Sequence, residues 1–245
     1  VTTNSWLEIN NSTLGRSRLG IGALGLLFIL SAAAVTGIWY EIGDLDDSVL
    51  KVVVISWVAC GAMVGGAWLG VRADETDPFG LVWGYGLASG AMIMSAAMFL
   101  VPQAIGLAGT AGTPQFGGIG LALGVLLGYS AHTIGHRLTH LAGGMDTTAA
   151  QITVHALAAG AIIGIVYGNM PDLGPILGLA IVSHKGPAGY AAARRLVSNG
   201  RDPTVLLLPA AGVGIAAIVA SLIQLPAAPA VRGVVFGFAA GIFLH

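Results

Sequence analysis

The sequence predicts an all-α membrane protein, a bundle of transmembrane helices. Hydrophobic residues fill 56 % of the 245 positions and charged residues only 9 %, whereas about 25 % of the residues in a soluble domain are charged. Glycine occupies 38 positions, about twice its average share, and small residues allow membrane helices to approach each other closely. We therefore expect a polytopic, tightly packed helical bundle in a lipid bilayer.

Eight apolar runs are long enough for transmembrane helices, because roughly 20 residues span a hydrocarbon core of about 30 Å. They occupy residues 17–40, 50–72, 79–101, 115–136, 149–168, 172–197, 203–224 and 229–245. The residues before them, 1–16, predict a polar N-terminal tail, and 17–245 predict a single transmembrane domain. The eighth run reaches His245 without a polar flank, so we expect a further C-terminal helix to follow it.

The positions of the basic residues predict the orientation. With a cytoplasmic N-terminus, seven of the ten lysines and arginines fall on the cytoplasmic side, in agreement with the positive-inside rule. These seven are Arg16, Arg18, Arg72, Arg137, Arg194, Arg195 and Arg201. Lys51 and Arg232 fall on the other side, and Lys185 lies inside the sixth run. We therefore expect a multi-pass protein of the cell membrane, with the uncharged loops near 102–114 and 224–231 outside.

The composition excludes several classes of function. The net charge of −1 offers no polybasic tail for nucleic acid. Cys60 is the only cysteine, so the chain forms neither an internal disulfide nor a cysteine-based metal site. The sequence shows no glycine-rich phosphate loop and no nucleophile and base at catalytic spacing, and we expect no enzymatic activity.

Ionisable residues inside the apolar runs are the first candidates for a functional site. His184, Lys185 and Pro187 lie in the middle of LGLAIVSHKGPAGYAAARRLVSN, at 177–199, and His155 lies in QITVHALAAGAIIGIVYG, one run earlier. A charged side chain at the centre of a bilayer costs about 3 kcal/mol, so such residues indicate function by default. All eleven Asp and Glu residues lie in the N-terminal tail, the loops or the ends of the runs. No carboxylate is therefore expected deep in the membrane.

A short internal repeat links the third and eighth runs. The segment GLASGAM, which begins at Gly86, resembles GFAAGIF, which begins at Gly237. Internal repeats are common in secondary transporters. However, glycines four residues apart also recur wherever membrane helices pack closely, and both interpretations stay open.

The order of these segments resembles the ZIP (Zrt/Irt-like) family of divalent-metal transporters, over most of residues 50–245. The third run, GLASGAMIMSAAMFLVPQAI, is similar to the glycine-rich helix of that family, with Gln103 where the family has Glu. The fifth and sixth runs are similar to its two metal-binding helices. The resemblance implies a ZIP-like helical bundle, transport of a divalent metal, and an additional N-terminal helix at 17–40.

In that family, positions one, two and five of the two motifs bind metal at the middle of the membrane. The first motif, H-N-x-P-E-G, corresponds here to HALAAG, which keeps the histidine as His155 and has Ala159 at position five. The second motif corresponds to HKGPAG, with His184 at position one, Lys185 at position two and Ala188 at position five. The resemblance implies His155 and His184 as metal ligands. It also implies that four further residues line the transport site: Lys185, Pro187, Ala159 and Ala188.

The loss of both glutamates changes the chemistry that the resemblance implies. Zinc and iron sites need deprotonated N, O or S donors, and a dication in an apolar interior needs anionic charge nearby. Two neutral imidazoles do not supply that charge, and a protonated Lys185 repels a cation. Zn²⁺ or another divalent metal is the ligand that the resemblance implies, but we expect little or no tightly bound zinc.

Lys185 has two main interpretations. It is either a fixed positive charge that binds an anion or fills the second metal position, or a lysine hydrogen-bonded to backbone carbonyls that Pro187 leaves free. A retinal Schiff base is less favoured, because no carboxylate in the membrane can serve as its counterion.

The histidines also have two interpretations. His155 and His184 either bind a metal or haem, or are satisfied by neighbouring polar groups, for which the candidates are Ser183, Gln151 and Asn169. Three further histidines at spacing i, i+4 and i+8 share one helix face; they are His132, His136 and His140. They predict a cytoplasmic exit for a metal, or histidines that contact carbonyls and lipid headgroups at a helix end.

The leading functional hypothesis is a divergent ZIP-like transporter that moves a divalent cation or another small solute between the fifth and sixth runs. The alternative is a transport-inactive protein of the same fold, which serves as a membrane subunit or a ligand-binding scaffold. The expected partners are the lipid bilayer and either a second copy of the chain, forming a homodimer, or another membrane subunit.

Overall fold

The computed structural model describes residues 5–41, 47–73, 78–141, 147–170, 172, 174–223 and 228–244. In these ranges the chain forms eight α-helices and no β-strand. The helices are α1 (Ser5–Glu41), α2 (Asp47–Arg72), α3 (Pro78–Thr110), α4 (Gln115–Leu141), α5 (Thr147–Asn169), α6 (Gly174–Ser198), α7 (Leu207–Ser221) and α8 (Pro229–Leu244). A 3₁₀ turn, Pro203–Leu206, leads into α7.

The predicted fold class, a polytopic helical bundle, is confirmed. Each apolar run coincides with one helix, and five helical segments are both long and apolar enough to cross a membrane. These are Arg18–Gly37, Ser48–Arg72, Pro78–Thr110, Thr148–Asn169 and Pro203–Ser221. α6 is 25 residues long but less apolar, because it carries Lys185, Arg194 and Arg195. Large apolar side chains such as Val82 and Leu126 are exposed on the outside, as expected for helices embedded in lipid.

Two helices extend furthest beyond the predicted runs. α1 begins at Ser5, so residues 5–16 of the expected polar tail are helical. α3 continues to Thr110 through the beginning of the expected loop near 102–114. It accommodates Pro102 after a π turn, Ala96–Leu100, in which the Val101 N–H donates to the Ala96 carbonyl. The wider turn leaves room for the proline ring, which in a regular helix clashes with the preceding turn.

Three pairs of helices pack more extensively than the others: α2 with α6, α5 with α7, and α4 with α8. Glycine makes each approach possible. A Cβ atom at Gly66 of α2 would collide with the carbonyl oxygen of Gly186 in α6. A Cβ atom at Gly160 of α5 would collide with the carbonyl oxygen of Val213 in α7. The helices of these tight pairs therefore contact each other backbone to backbone, as small residues permit in membranes.

The two copies of the internal sequence repeat pack differently, and one of them lies in the third tight pair. A Cβ atom at Gly237 of α8 would collide with the carbonyl oxygen of Gly117 in α4. At Gly86 of α3, the matching position of the repeat, a Cβ atom would meet no atom within 4 Å, and the same holds at Gly90. Among the described residues, one copy of the motif thus packs against a helix and the other lies open.

The interior of the bundle is apolar with few exceptions. It contains leucine, isoleucine, valine, alanine and phenylalanine side chains, together with the thiol of Cys60, which is 4 % exposed in α2. The most conspicuous exceptions are adjacent residues of α6, His184 and Lys185, which are 1 % and 2 % exposed. Polar groups of this kind are rarely buried without a partner, so they locate the candidate site.

Replacing Gly66 by alanine should lower the thermal stability of the detergent-solubilised protein. The added methyl group would meet a backbone carbonyl, and overpacking of this kind costs about 1–3 kcal/mol. Gly86→Ala is the matched control, because its methyl group meets no atom and alanine favours the helix by about 1 kcal/mol. Thermal unfolding followed by circular dichroism compares the two. Equal melting temperatures would contradict the backbone contact.

Candidate functional site

The candidate site is a cluster of three rings supplied by three different helices. The ring centroids of His155 in α5 and His184 in α6 lie 6.0 Å apart. The ring of Phe243, from α8, lies 6.2 Å from His155 and 5.5 Å from His184. The rings are inclined to each other by 52–87°, as in edge-to-face packing. The structure thus brings together the two histidines that the sequence analysis selected.

The helix itself orients His184. Its Nδ1 atom lies 3.3 Å from the carbonyl oxygen of Ala180, one turn earlier in α6. Because a carbonyl oxygen only accepts hydrogen bonds, Nδ1 carries the hydrogen in this arrangement and Nε2 has the free electron pair. Nε2 is buried and has no hydrogen-bond partner among the described residues. It is therefore a buried hydrogen-bond acceptor whose partner is not found among the described residues.

Two of the three polar residues expected to satisfy the histidines donate hydrogen bonds to backbone carbonyls. The Ser183 hydroxyl donates to the Ala180 carbonyl over 2.7 Å. The Asn169 amide donates to the carbonyls of Ile165 and Ile223, over 2.8 and 2.9 Å. Backbone carbonyls thus compete for both side chains, as they often do for short polar side chains in helices.

Lys185 follows His184 directly and is buried. No hydrogen bond or ion pair of its ammonium group is found in the part of the chain that the structure describes. Pro187 lies inside α6, and the helix continues past it. The described residues give no support to the interpretation in which Pro187 frees a backbone carbonyl that Lys185 then binds. The interpretation of Lys185 as a fixed charge stays a prediction.

The donor set does not fit a divalent metal. The sequence places no Asp or Glu anywhere in α3 to α8. Among the described residues, no three His, Cys, Asp or Glu side chains lie close enough to hold a metal ion. Two imidazoles beside an ammonium group leave a dication without the anionic ligands that it needs in an apolar interior.

The remaining predicted site residues have different surroundings. Ala159 is fully buried, whereas Pro187 and Ala188 are half-buried. Pro187 lies on a groove of about 560 Å³ between α2, α3 and α6, which is lined by glycines such as Gly61 and by larger side chains such as Trp83. The predicted exit histidines belong to α4, but their side chains lie outside the described residues; they are His132, His136 and His140.

The cluster lies where the three tight pairs of helices meet. His155 belongs to α5, which packs against α7; His184 belongs to α6, which packs against α2. Phe243 belongs to α8, which packs against α4. Each ring is therefore fixed to a different pair, and a movement of one pair relative to another changes the distances between the rings.

Phe243 is not recognisable as a site residue from the sequence. A phenylalanine near the end of an apolar run is indistinguishable from ordinary core residues, because aromatic side chains are frequent in every hydrophobic interior. The repeat gives a weak signal, since Phe243 closes the copy that begins at Gly237. Only its contact with both histidines shows that it belongs to the site.

Comparison with known proteins identifies no family for this chain. No protein-family model matches the chain, and no curated protein matches it. The resemblance to ZIP transporters, the zinc ligand and a second subunit therefore stay predictions from the sequence.

Replacing Lys185 by methionine should raise the melting temperature. Methionine has a similar length and removes a buried charge, whose presence at a helix centre costs about 3 kcal/mol. Arg201→Met is the control, because the exposed side chain of Arg201 should change the free energy of unfolding by no more than about 0.5 kcal/mol. Circular dichroism measures both. A lower melting temperature for Lys185→Met would show that the ammonium group has a stabilising partner.

Proposed function

We propose that this protein is a membrane carrier with a ZIP-like arrangement of helices, and that its central site binds a small anion rather than a divalent cation. One observation carries the proposal. Lys185 is buried beside His184, in a chain whose helices from α3 to α8 contain no carboxylate. An ammonium group in such surroundings attracts an anion strongly, because a low dielectric hardly weakens the interaction.

The location of the site at the junction of the three tight pairs supports a carrier. Carriers work by rigid-body movement of groups of helices around a binding site near the middle of the membrane. His155, His184 and Phe243 each belong to a different pair. A movement between pairs would open the site towards one side of the membrane while the contacts within each pair persist.

The orientation and location also belong to this proposal. The positive-inside rule supports a cytoplasmic N-terminus in the cell membrane. With that orientation, Arg194 and Arg195, at the end of α6, face the cytoplasm together with Arg72 at the end of α2.

A transport-inactive scaffold is the second candidate, and the closed state of the cluster favours it. Phe243 and His184 are each only 1 % exposed, so a solute reaches the His184 imidazole only if helices move, whereas His155 is partly exposed. If the helices do not move, Lys185 acts as a permanent positive charge in a binding or assembly subunit. Flux measurements distinguish this candidate from the carrier.

The carrier should release anions from lipid vesicles. Purified protein reconstituted into vesicles that contain radiolabelled iodide or phosphate should release at least one of them faster than protein-free vesicles. Lys185→Met should abolish the difference, because the variant lacks the charge that holds the anion, whereas Arg201→Met should retain it. Native release equal to that of empty vesicles would reject the carrier and favour the scaffold.

The native protein should hold no zinc, and added carboxylates should create a site. Ala188→Glu places a carboxylate one turn from His184, since residues four apart share one helix face, and Lys185→Glu replaces the positive charge by a second carboxylate three residues from the first. The matched control is Lys185→Gln with Ala188→Gln, which has the same shape without the charge. Metal analysis after incubation with zinc and gel filtration should show zinc only in the glutamate variant. Stoichiometric zinc in the native protein would contradict the proposed exclusion of cations.

A further inference from the structure

A groove and a smaller pocket follow one another between the same three helices, α2, α3 and α6. The groove, of about 560 Å³, extends along α2 from Gly61 to Leu69, about 12 Å at 1.5 Å per residue. Leu69 lies one turn before the end of α2 at Arg72, so the groove runs from the middle of the helix towards this end. Half of a hydrocarbon core is about 15 Å thick. The groove therefore has about the length of one leaflet of the bilayer.

The groove is apolar and open to the outside of the bundle. Trp83 and Leu87 of α3 line it and are 50 % and 52 % exposed. On the α2 side it is lined by Gly61 and Gly65, where a Cβ atom would meet no atom within 4 Å. Hydrocarbon chains are what surrounds a membrane protein at this depth. A slot of this shape accepts such a chain, because the chain is flexible and needs no hydrogen bonds.

The smaller pocket, of about 60 Å³, places a buried cation next to the groove. It is lined by residues further along α2 and α6, among them Gly70, Ser198 and Arg194. Arg194 is only 7 % exposed. Its guanidinium carbon lies 5.9 Å from the centroid of the Tyr190 ring, and Tyr190 also lines the groove. Tyr190 thus connects the apolar groove to the cationic pocket.

We propose that these two cavities bind an anionic phospholipid, with one acyl chain in the groove and the phosphate next to Arg194. Basic pockets between transmembrane helices bind the headgroups of anionic lipids. A guanidinium group suits a phosphate, because it can donate two parallel hydrogen bonds. The pocket lies nearer the helix ends than the groove does, which is the order of headgroup and chain in a leaflet. The site depends neither on the proposed carrier nor on the proposed orientation.

Carboxylates of the chain itself are the other candidate counter-charge for Arg194. The linker at 74–77, DETD, contains three of them. It follows Ala73, which lines the pocket, and it lies outside the described residues. If these carboxylates neutralise Arg194, the site has no preference for an anionic headgroup. The preference for one headgroup over another therefore distinguishes the two cases.

Mass spectrometry of the intact protein in detergent can compare phosphatidylglycerol with phosphatidylcholine of identical acyl chains. The native protein should bind phosphatidylglycerol roughly tenfold more tightly, equivalent to about 1.4 kcal/mol, because only this lipid carries a net negative charge. Arg194→Gln should remove the preference. Arg195→Gln, which removes the same charge from an exposed neighbour, should keep it. Equal binding of the two lipids to native protein, or loss of the preference in both variants, would overturn the proposal.

A second pair of variants tests the acyl chain. Gly65→Leu should weaken the binding of phosphatidylglycerol several-fold, because leucine fills the groove. Gly25→Leu in α1 is the matched control, since a Cβ atom there also meets no atom within 4 Å. Excess inorganic phosphate should leave the lipid bound, because phosphate has no chain for the groove. Unchanged binding in Gly65→Leu, or displacement by phosphate alone, would overturn the placement of the chain. So would a lipid-free dimer that Gly65→Leu dissociates, because a second copy would then fill the groove.

A photoactivatable phosphatidylglycerol tests the site without any substitution. With a diazirine in its acyl chain, the lipid should label peptides from the three segments that line the groove, 61–69, 80–87 and 182–190. Unlabelled phosphatidylglycerol should compete with this labelling more effectively than phosphatidylcholine. Labelling spread evenly over all the helices, or equal competition by the two lipids, would show that the groove holds only bulk lipid and would overturn the proposal.

Discussion

Direct contact between helix backbones holds the site-bearing helices in place. Lipid supplies no hydrophobic force for one helix to bind another, so close packing must stabilise the bundle. At Gly66, Gly160 and Gly237 the glycine lies so close to a neighbouring carbonyl that one methyl group would not fit. Dispersion forces act only at such short range. The high glycine content therefore sets the positions of α5, α6 and α8, and with them the geometry of the ring cluster.

This packing also explains why Lys185 stays in the interior. Lysines near the ends of membrane helices extend their side chains towards the headgroups. Lys185 is 11 residues from Gly174 and 13 from Ser198, or about 17 and 20 Å at 1.5 Å per residue, too far for that extension. Its neighbour Gly186 touches the backbone of α2 at Gly66. The charge is thus held deep in the bundle, away from the headgroups.

The sequence predicts the helices better than it predicts their contacts. Apolar runs locate all eight helices, because the length of a hydrocarbon core sets the length of a run. The end of α3 was missed, since Pro102 indicates a break unless a π turn precedes it. The patterns around Gly86 and Gly237 are alike, yet only Gly237 packs against a helix. A glycine motif shows only that a close approach is sterically allowed. Which helix approaches the motif depends on the whole chain. The position of Phe243 depends on the whole chain for the same reason.

The burial of Cys60 allows cysteines introduced elsewhere to be labelled selectively. It is the single thiol of the chain and 4 % exposed in α2, and a thiol in apolar surroundings reacts slowly because little of it is present as thiolate. A cysteine introduced at an outward-facing position, such as Leu179, would take up a spin label or a fluorophore selectively. Pairs of such labels on α5, α6 and α8 can then report distances between these helices, while the native Cys60 stays in place.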